Sequence, residues 1–547
     1  MNDVGTATVT ELFLGLAEVD DRGLRFEDVE LSWREHVRLS RRRAALLRHL
    51  LDGREPRHVG ILMDNVPEFS LLLGAAALSG TVVVGLNTTR RGDALARDIA
   101  LADCRVVFTE AVHAPLLDGL DLGDVRVIDV DSPGWEALLA PFADTPVPAP
   151  AADPADLFML IFTSGTSGDP KAVRCTHRKF TDPAVMLATR FGLGRDDTVY
   201  VSMPLFHSNA MIAGWSIGLA AGGNIVLRRR FSASGFLPDV RRFGVTFAHY
   251  VGKPLSYIVA TPERPDDGDN PLRIMYGNEG SARDVAEFGR RFRARVVDGF
   301  GSTEGGIAIG AAPDAPPGAL GRLPEGVEIL DPETGRVCPP AEFDADGRIL
   351  NPAEATGELV NMRGPGLFDG YYRNPEADAE RMRDGRYHSG DLAYRDADGF
   401  VYFAGRSSGW LRVDGENLGA APIERILSRY EGFAQVVVYG VPDRQVGDRV
   451  MAAVIPAAGT GFDPVEVARF LDAQPDLGPK QRPTLVRVCT EFPRTATFKV
   501  VTRSLAAERW HCTDPVWVRD RGDTEFHLLS PAETHLLEPL PPGVTTG

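Results

Sequence analysis

Residues 157–173, "LFMLIFTSGTSGDPKAV", join a fully apolar run to a loop of Gly, Ser and Thr that ends on a lysine. The apolar run predicts a buried strand, and the loop begins where that strand ends. Hydroxyls, unobstructed backbone N–H groups and the Lys171 cation suit a polyphosphate, although a mobile surface turn is the alternative interpretation. The loop residues are Thr163, Ser164, Gly165, Thr166, Ser167 and Gly168. The stretch is not a P-loop, because Lys171 follows Pro170 and precedes Ala172.

Outward from this stretch, short β-branched runs alternate with helix-like segments, which predicts parallel sheets covered by helices. The predicted strands are "HVGILM", "TVVVGL", "CRVVFT" and "VRVIDV" before the loop, and "DTVYVSMPL", "GNIVLRR", "VTFAHYV", "LRIMYG" and "RVVDGFG" after it. From Gly357 the pattern predicts antiparallel strands, and beyond Gly409 it becomes compact α+β. The predicted fold is therefore α/β. A large N-terminal domain of parallel sheets and helices, with an antiparallel subdomain, precedes a small C-terminal lid domain.

The composition of the 547-residue chain argues against several classes of protein. A formal net charge of −17 argues against a general nucleic-acid binder, because no basic excess is present to replace counterions. Five scattered cysteines without a C-x-x-C pair indicate neither a disulfide framework nor a zinc site. The N-terminal residues lack a basic segment followed by an apolar core, so a cytoplasmic enzyme is expected.

One uncharged run, "FSLLLGAAALSGTVVVGL" at 69–86, is near the lower length limit of a bilayer helix. Gly80 divides a half rich in Leu and Ala from a β-branched half. This change favours a buried helix followed by a buried strand, and at most peripheral membrane contact is expected.

Further polar segments follow the predicted strands. The segment "DGFGSTEGG" at 298–306 lies where α/β sheets usually bind ligands, and Glu304 could hold Mg²⁺ against phosphate oxygens. Asp391 lies in "HSGDLAYRDADG", where it is predicted to precede an antiparallel hairpin. Arg406 lies in "FAGRSSGWLRVDGEN" at the predicted domain boundary, and Lys499 lies in "FPRTATFKV".

Together these five motifs resemble the acyl-adenylate-forming superfamily of acyl-CoA synthetases, luciferases and peptide-synthetase adenylation domains. The resemblance covers nearly the whole chain. It implies an adenylation domain over residues 1–405, a hinge at 406–409 and a mobile lid over 410–547. It also implies ATP, Mg²⁺, CoA as a co-substrate and a small-molecule carboxylic acid, and it leaves the oligomeric state open.

The resemblance also implies a role for each motif in nucleotide binding. The opening loop and Lys171 would cradle the triphosphate, with Thr166 also at the metal. Thr303 would contact the phosphates and Glu304 would bind Mg²⁺. Asp391 would accept hydrogen bonds from the ribose hydroxyls, with Arg406 beside it. The residues expected around adenine and the α-phosphate are Asp298, Gly299, Phe300, Gly301 and Ser302.

The same resemblance implies residues for catalysis and for the acid. Lys499 would stabilise the charge that develops on the phosphate oxygens during adenylation. His207 would lie beside the acyl pocket as a gate, with a buried structural histidine as the alternative. Asn278 and Glu279 would border the substrate carboxylate, and Gly277 before them is expected among the nucleotide-binding residues. Those expected to line a pantetheine channel after lid rotation are Gly415, Glu416 and Asn417.

Two enzyme hypotheses share this site. "TATFKV" and the region "HYVGKPLSYIV" resemble the very-long-chain acyl-CoA synthetase branch, and "GRSSGWLRVDGENLGAAPIERIL" resembles actinobacterial fatty-acid–CoA ligases. The first hypothesis is therefore an AMP-forming ligase that activates a fatty or aromatic acid and transfers it to CoA. The second is a diazotase that activates nitrite and diazotises an aromatic amine without CoA. A non-catalytic nucleotide-binding protein is disfavoured, because Glu304, Asp391, Arg406 and Lys499 are all present.

Overall fold

The computed structural model describes residues 7–148, 150–163, 170–312, 314–316, 318–345, 349–406, 410–413, 416–443, 447–495, 500–520 and 523–537. These residues form two compact units. The first unit holds the described residues up to Ala308 together with Pro365–Glu380. The second holds Ile309–Gly364, the described part of Arg381–Thr495 and the described residues from 500 onward.

Most strands have two to seven residues, and three in the second unit have ten or eleven. In the first unit and at its border they are β1 Gly23–Phe26, β2 Val29–Ser32, β3 His58–Leu62, β4 Val82–Gly85, β5 Val106–Thr109, β6 Arg126–Asp129, β7 Leu157–Thr163, β8 Lys171–Thr176, β9 Thr198–Val201, β10 Asn224–Leu227, β11 Phe247–Val251, β12 Ile274–Asn278, β13 Arg295–Asp298, β14 Phe300–Gly301 and β15 Ala308–Ile309. In the second unit they are β16 Gly321–Arg322, β17 Val327–Leu330, β18 Gly357–Asn361, β19 Met382–Arg383, β20 Arg386–Arg395, β21 Phe400–Arg406, β22 Trp410–Val413, β23 Glu416–Gly419, β24 Phe433–Asp443, β25 Gly447–Pro456, β26 Leu485–Val488, β27 Val516–Val518 and β28 His527–Leu528.

The helices lie mostly between these strands, with one before β1 and one after β28. They are α1 Val9–Leu14, α2 Trp33–Leu50, α3 Pro67–Ser79, α4 Gly92–Leu101, α5 Gly134–Leu139, α6 His177–Phe191, α7 Ser208–Ala210, α8 Ile217–Ala221, α9 Ala233–Phe243, α10 Pro254–Val259, α11 Ala282–Phe292, α12 Pro352–Ala355, α13 Pro375–Arg381, α14 Ala420–Leu427, α15 Pro464–Ala473, α16 Thr502–Glu508 and α17 Pro531–Leu537. Met211–Ser216 is a π-helix between α7 and α8, and Ala114–Leu116 and Ala140–Phe142 are 3₁₀ turns.

The first sheet contains β7, the apolar strand that precedes the Gly/Ser/Thr loop. Its order is β6-β5-β3-β4-β7-β8, and all neighbours are parallel except β7 and β8. The residues that pack one face of the sheet against α4 include Leu62, Val84, Leu95, Ile99 and Leu160. The predicted parallel sheet is confirmed. The antiparallel strand β8 was not among the predicted strands. It forms because the chain reverses after β7 and pairs with it.

The second sheet has the order β13-β12-β11-β9-β10-β1-β2. Its strands are parallel apart from the β1–β2 hairpin, in which β1 also pairs with β10. Phe236, Tyr250 and Phe288 belong to the core between this sheet and helices α9 and α11. The sequence pattern predicted the five strands from β9 to β13 but not the contribution of the N-terminal hairpin.

The second unit contains two further sheets. One is antiparallel with the order β16-β21-β20-β18-β17, and β19 pairs with β20 at its side. The other has the order β23-β22-β25-β26-β27-β28, with β24 antiparallel to β25 and β25 parallel to β26. The antiparallel strands predicted from Gly357 and the α+β structure predicted beyond Gly409 are both confirmed.

The apolar run at 69–86 forms α3 and then β4, as predicted. Every residue of α3 from Phe69 to Ser79 is buried, which fits a helix that is apolar on all sides. Gly80 ends the helix in the left-handed conformation with φ 71°, and β4 begins two residues later. Within the described part of the chain, every helix is too short or too polar to cross a bilayer.

Candidate active site

The predicted phosphate loop connects two antiparallel strands of the first sheet. Thr163 ends β7 and pairs in register with Lys171, which begins β8. The Thr163 hydroxyl lies 3.5 Å from the Lys171 carbonyl oxygen. The loop residues Ser164, Gly165, Thr166, Ser167 and Gly168 lie outside the described residues. The two described ends of the loop are therefore fixed by a sheet.

Lys171 is held loosely. Its ammonium lies 3.0 Å from a Glu380 carboxylate oxygen and 5.3 Å from the ring centre of Tyr371. The Glu380 side chain is 70% exposed, so this ion pair contributes about 1 kcal/mol or less. An anion with more charge could therefore take the place of Glu380 at little energetic cost.

Tyr371 connects Lys171 with the predicted metal ligand. Its hydroxyl donates to Glu304 Oε1 at 2.9 Å, and its ring faces the Lys171 ammonium. Tyr371 is 3% exposed and forms a β-bridge with Val173 in β8. Tyr371 was not predicted, because it lies about two hundred residues from the loop and nothing in its spacing marks it. The contact brings two separate motifs into one site.

The turn that carries Thr303 and Glu304 is held by a hydroxyl and by a buried lysine. The Thr303 and Ser208 hydroxyl oxygens are 2.8 Å apart. Lys179 is 2% exposed, and its ammonium donates to the Glu304 carbonyl oxygen at 2.8 Å and to that of Arg174 at 3.3 Å. A buried ammonium needs such acceptors, so Lys179 fixes the backbone of the turn.

The hard oxygen donors of this turn fit a magnesium ion. The Glu304 carboxylate and the Thr303 and Ser208 hydroxyls are oxygen ligands of the kind that Mg²⁺ prefers. The Tyr371 hydroxyl donates a hydrogen bond to Oε1 of Glu304 and so fixes the orientation of the carboxylate. Thr166, the other predicted metal ligand, lies outside the described residues.

A second carboxylate cluster in the same unit is already neutralised. Asp64, Glu110 and His113 are buried and close enough to share a cation. However, Arg229 donates to Glu110 at 2.5 Å and Arg230 donates to Asp64 at 3.0 Å. Two guanidinium groups already balance the two carboxylates, so this cluster is a structural ion-pair network.

Asp298 lies at the end of β13, where the sequence predicted an adenine contact. Its Oδ1 accepts hydrogen bonds from the Tyr250 hydroxyl at 2.6 Å and from the Gly280 N–H at 3.1 Å. Burial raises the pKa of Asp298 to about 6. Gly277 pairs with Asp298 in register, and the Gly299 N–H donates to its carbonyl oxygen at 2.7 Å. The predicted nucleotide motif therefore rests on the ends of β12 and β13.

The remaining predicted residues of this unit continue from these strand ends. Phe300 and Gly301 form β14, and Ser302 leads into the turn at Thr303. Glu279 follows β12 and has a φ of 65°. Residues other than Gly rarely adopt this left-handed backbone conformation. Such strain accompanies functional sites in many proteins.

Side chains of helix α7 contact Thr303 and Asn278. His207 precedes the helix, and its ring centre lies 4.6 Å from that of Phe206. Ser208 contacts Thr303, and Asn209 Nδ2 lies 3.4 Å from Asn278 Oδ1. The structure thus places the predicted gate residue next to side chains that touch both the predicted phosphate turn and the predicted acid site.

In the second unit, Asp391 and Arg406 are cross-strand partners. They pair in register between β20 and β21, and Arg406 Nε lies 3.3 Å from Asp391 Oδ1. The Asp391 side chain is 9% exposed and that of Arg406 is 52% exposed. The prediction that Asp391 precedes the hairpin was wrong, because it lies inside β20. The strand begins early, since the residues from Arg386 already pair with β18 and β19.

Glu358 in β18 holds the turn that leads to Asp391. Its carboxylate accepts hydrogen bonds from the Gly390 N–H and His388 Nδ1, both at 2.8 Å. The Ser389 hydroxyl donates to the Leu359 carbonyl oxygen at 2.7 Å and accepts from the Asp391 N–H at 3.0 Å. Glu358 was not predicted, because only the β18–β20 pairing brings it to this turn.

The remaining predicted residues belong to the predicted hinge and the predicted lid. Gly415, Lys499 and the hinge residues 407–409 lie outside the described residues. Glu416 and Asn417 lie in β23, Glu416–Gly419. Their functional assignments, like the domain bounds 1–405 and 410–547, stay predictions.

The fold is that of known adenylate-forming enzymes. The crystal structure of the anthranilate–CoA ligase AuaEII in complex with anthranoyl-AMP covers 92% of this chain with a TM-score of 0.79, and 97% of that chain is matched. Sequence identity to it is 21%, so this likeness concerns the fold. The predicted fold class is confirmed.

The chain belongs to the family of AMP-binding enzymes, whose sequence profile matches residues 17–372. The profile of the AMP-binding enzyme C-terminal domain matches residues 422–499. The predicted membership in the acyl-adenylate-forming superfamily is confirmed, and with it the prediction of an AMP-forming ligase.

Two relatives resemble the chain over nearly its full length. The medium/long-chain-fatty-acid–CoA ligase FadD17 of Mycobacterium tuberculosis is 58% identical over 510 residues, which cover 93% of this chain and 98% of the relative. The steroid-22-oyl-CoA synthetase of Rhodococcus jostii is 48% identical over 527 residues, which cover 95% of this chain and 94% of the relative.

Proposed function

We propose that this protein is an ATP-dependent, AMP-forming fatty-acid–CoA ligase for medium- or long-chain acids. The observation that carries the proposal is the 58% identity to a medium/long-chain-fatty-acid–CoA ligase over 93% of the chain. The 48% identity to a steroid-22-oyl-CoA synthetase supports a second candidate, the carboxylated side chain of a steroid. Both relatives are CoA ligases, which favours the CoA-ligase hypothesis over the diazotase hypothesis.

The first half-reaction joins the acid to AMP. A carboxylate oxygen attacks the α-phosphorus of ATP, the bond from that phosphorus to the bridging oxygen breaks, and pyrophosphate leaves. Lys171 is suited to hold the departing phosphates, because its pairing with the exposed Glu380 is weak. Lys499 is proposed to stabilise the negative charge that grows on the phosphate oxygens in the transition state.

Glu304 is proposed to hold Mg²⁺, which when bound would offset the negative charge of the triphosphate. Tyr371 orients the Glu304 carboxylate and Lys179 fixes its backbone. Asp391, with Arg406 beside it, is proposed to bind the ribose hydroxyls. Its carboxylate can accept two hydrogen bonds, and Glu358 fixes the turn that precedes it.

The second half-reaction transfers the acyl group to CoA. The thiol sulfur attacks the acyl carbon, the bond to the AMP oxygen breaks, and the thiol proton is lost to solvent or to a nearby base. Rotation about residues 406–409 is proposed to bring Gly415, Glu416 and Asn417 to the pantetheine arm. The acyl-adenylate therefore has to stay bound between the two steps.

The substrate class is tested by acid-dependent exchange of labelled pyrophosphate into ATP. The panel contains hexanoate, octanoate, palmitate, a steroid-22-oate, benzoate and nitrite, each at matched concentration. We expect strong exchange with octanoate or palmitate and weak exchange with benzoate and nitrite. If exchange is strongest with the steroid acid, the second candidate, the carboxylated side chain of a steroid, is the substrate. Exchange that requires nitrite and ignores every acid would contradict both.

A further inference from the structure

A buried histidine to which the sequence assigned no role is connected by hydrogen bonds to the predicted acid site. His249 is in β11 and is 1% exposed. Its Nδ1 lies 2.6 Å from Asn209 Oδ1, and Asn209 Nδ2 lies 3.4 Å from Asn278 Oδ1. These three side chains, which we call the amide relay, connect the second sheet with the residue predicted to border the substrate carboxylate.

The hydrogen-bond direction along the amide relay is fixed by a backbone group. Asn209 Nδ2 lies 3.4 Å from the Tyr250 carbonyl oxygen, which can only accept. The Asn209 amide nitrogen must therefore face Tyr250 and Asn278, and its oxygen must face His249. His249 then has to donate from Nδ1.

His249 is built to remain neutral. Burial lowers the pKa of His249 to about 3, so the ring carries one proton at any pH near neutrality. With that proton on Nδ1, Nε2 is a bare acceptor, and no described residue hydrogen-bonds to it. A fixed tautomer therefore anchors the amide relay.

The helix beside His249 is shaped to accommodate the ring. A side-chain carbon at Gly214 would lie 2.9 Å from His249 Nε2, closer than carbon atoms normally approach. Gly214 belongs to the π-helix that follows α7, and α7 carries Asn209. Such π-helical turns are rare and occur often at functional sites.

The amide relay determines what Asn278 offers to a ligand. Because Asn278 Oδ1 accepts from Asn209, the group left to face a substrate is the Nδ2 amide, a donor. A flipped amide would set two NH₂ groups against each other and would present an oxygen to the substrate. A carboxylate accepts hydrogen bonds and would be repelled by that oxygen.

We propose that His249 and Asn209 are positioning residues that hold Asn278 as a neutral hydrogen-bond donor to the substrate carboxylate. This inference rests on the proposed function and deepens it. The site would recognise an acid by directed amide donation from β12. His249 and Asn209 themselves would not touch the substrate.

The test compares acid binding with ATP binding in variants of the amide relay. We expect His249→Leu and Asn209→Leu to raise KM for the acid roughly tenfold and to leave Kd for ATP, measured without acid, within about twofold. His249→Gln keeps an N–H that can reach Asn209 and should restore most of the acid affinity. A purely structural role would not produce this rescue.

His177→Leu is the matched control, since His177 is a second buried histidine of the same unit and lies outside the proposed site. It should lower Tm and leave KM for the acid unchanged. The proposal is overturned if Asn209→Leu leaves KM for the acid unchanged, or if His177→Leu raises it as much as His249→Leu. Should His249→Leu fail to fold, the half-buried Asn209 decides the outcome.

The wild-type protein separates this inference from the proposed function. Acid-dependent pyrophosphate release by wild type, with unchanged KM in the variants, overturns the amide relay alone. If wild type releases pyrophosphate with no acid, the proposed function fails and the amide relay falls with it.

Discussion

Tyr371 is a buried side chain that touches two functional groups at once. Its hydroxyl orients the Glu304 carboxylate and its ring lies beneath the Lys171 ammonium. A hydrogen bond to a charged group contributes about 1.5–3 kcal/mol, so its loss should be measurable in nucleotide binding. The ring contact depends on the aromatic face and does not require the hydroxyl.

We therefore expect Tyr371→Phe to weaken the affinity for ATP in the presence of Mg²⁺ roughly tenfold. Metal-free ATP should bind with nearly unchanged Kd, because the contact with Lys171 is retained. Titration calorimetry with and without Mg²⁺ measures both values. Tyr372→Phe is the control, since it removes a similar hydrogen bond to Asp103 away from Glu304. Equal losses with and without Mg²⁺ would contradict the assignment of Glu304.

The buried position of Asp298 disfavours the ionised form of its carboxyl group. Its folded pKa of about 6 exceeds the usual 3.8, mainly because of burial. The folded protein therefore binds this proton more tightly than the unfolded chain. The resulting destabilisation is absent below the unfolded pKa and complete above the folded pKa.

Asp298→Asn should thus raise the free energy of unfolding at about pH 7.5 by roughly 2 kcal/mol. The amide oxygen can still accept from Tyr250 and Gly280. The gain should shrink as the pH falls through about 6 to about 5, which thermal unfolding at both pH values would show. Asp196→Asn changes a side chain that is 94% exposed and should give a small difference at both pH values. A gain that does not depend on pH would contradict the raised pKa.

Among the secondary-structure elements, β12 and β13 end at residues of the candidate site, Asn278 and Asp298. Gly277 lies where β12 meets the Tyr250 backbone. A side-chain carbon there would lie 2.3 Å from the Tyr250 carbonyl oxygen. Only a residue without a side chain allows β11 and β12 to pair at this point.

Gly277→Ala should therefore lower the free energy of unfolding by about 1–3 kcal/mol and displace Asn278, with a higher KM for the acid. Gly289→Ala is the control, because its added carbon would meet its nearest neighbour at an ordinary 3.5 Å within α11. Alanine in a helix interior should be neutral or stabilising there. Chemical denaturation and steady-state kinetics provide both measurements. If both variants lose the same stability, the close approach at Gly277 is not the cause.

Residues 406–409 are predicted to act as a hinge between the two half-reactions. Ser408→Pro restricts a backbone that has to rotate between the half-reactions, so it should slow acyl transfer to CoA more than adenylation. Single-turnover assays measure the two steps separately in one variant, and the ratio of their rates serves as the internal control. Equal slowing of both steps would count against a hinge at 406–409.

Local patterns predicted most elements, and long-range pairings account for what they missed. The strands from β3 to β7 and from β9 to β13 have apolar runs that identify them. The N-terminal strand β1 pairs with β10 about two hundred residues away, and no local pattern encodes such a partner. Lys179 and Glu358 resemble ordinary surface charges in sequence, and only packing reveals that both are buried. The motif residues were predicted, whereas the side chains that position them were not.

Across the whole chain, the two family profiles match residues 17–372 and 422–499, and the segment between them contains Asp391 and Arg406. The compact units divide the same chain at Ala308, with Pro365–Glu380 returning to the first unit. The antiparallel sheet of β20 and β21 thus belongs with the C-terminal residues, and it carries Asp391 and Arg406. The residues predicted to bind the ribose therefore lie in the second unit.

This chain is proposed to convert a fatty acid into its CoA thioester through an adenylate. The most direct measurement is mass spectrometry of a single turnover with octanoate or palmitate, ATP and Mg²⁺, first without and then with CoA. We predict acyl-AMP and pyrophosphate without CoA, and acyl-CoA and AMP once CoA is added. Lys499→Ala should reduce acyl-AMP by orders of magnitude. Formation of AMP that requires nitrite, is indifferent to every acid and yields no thioester with CoA would contradict the account.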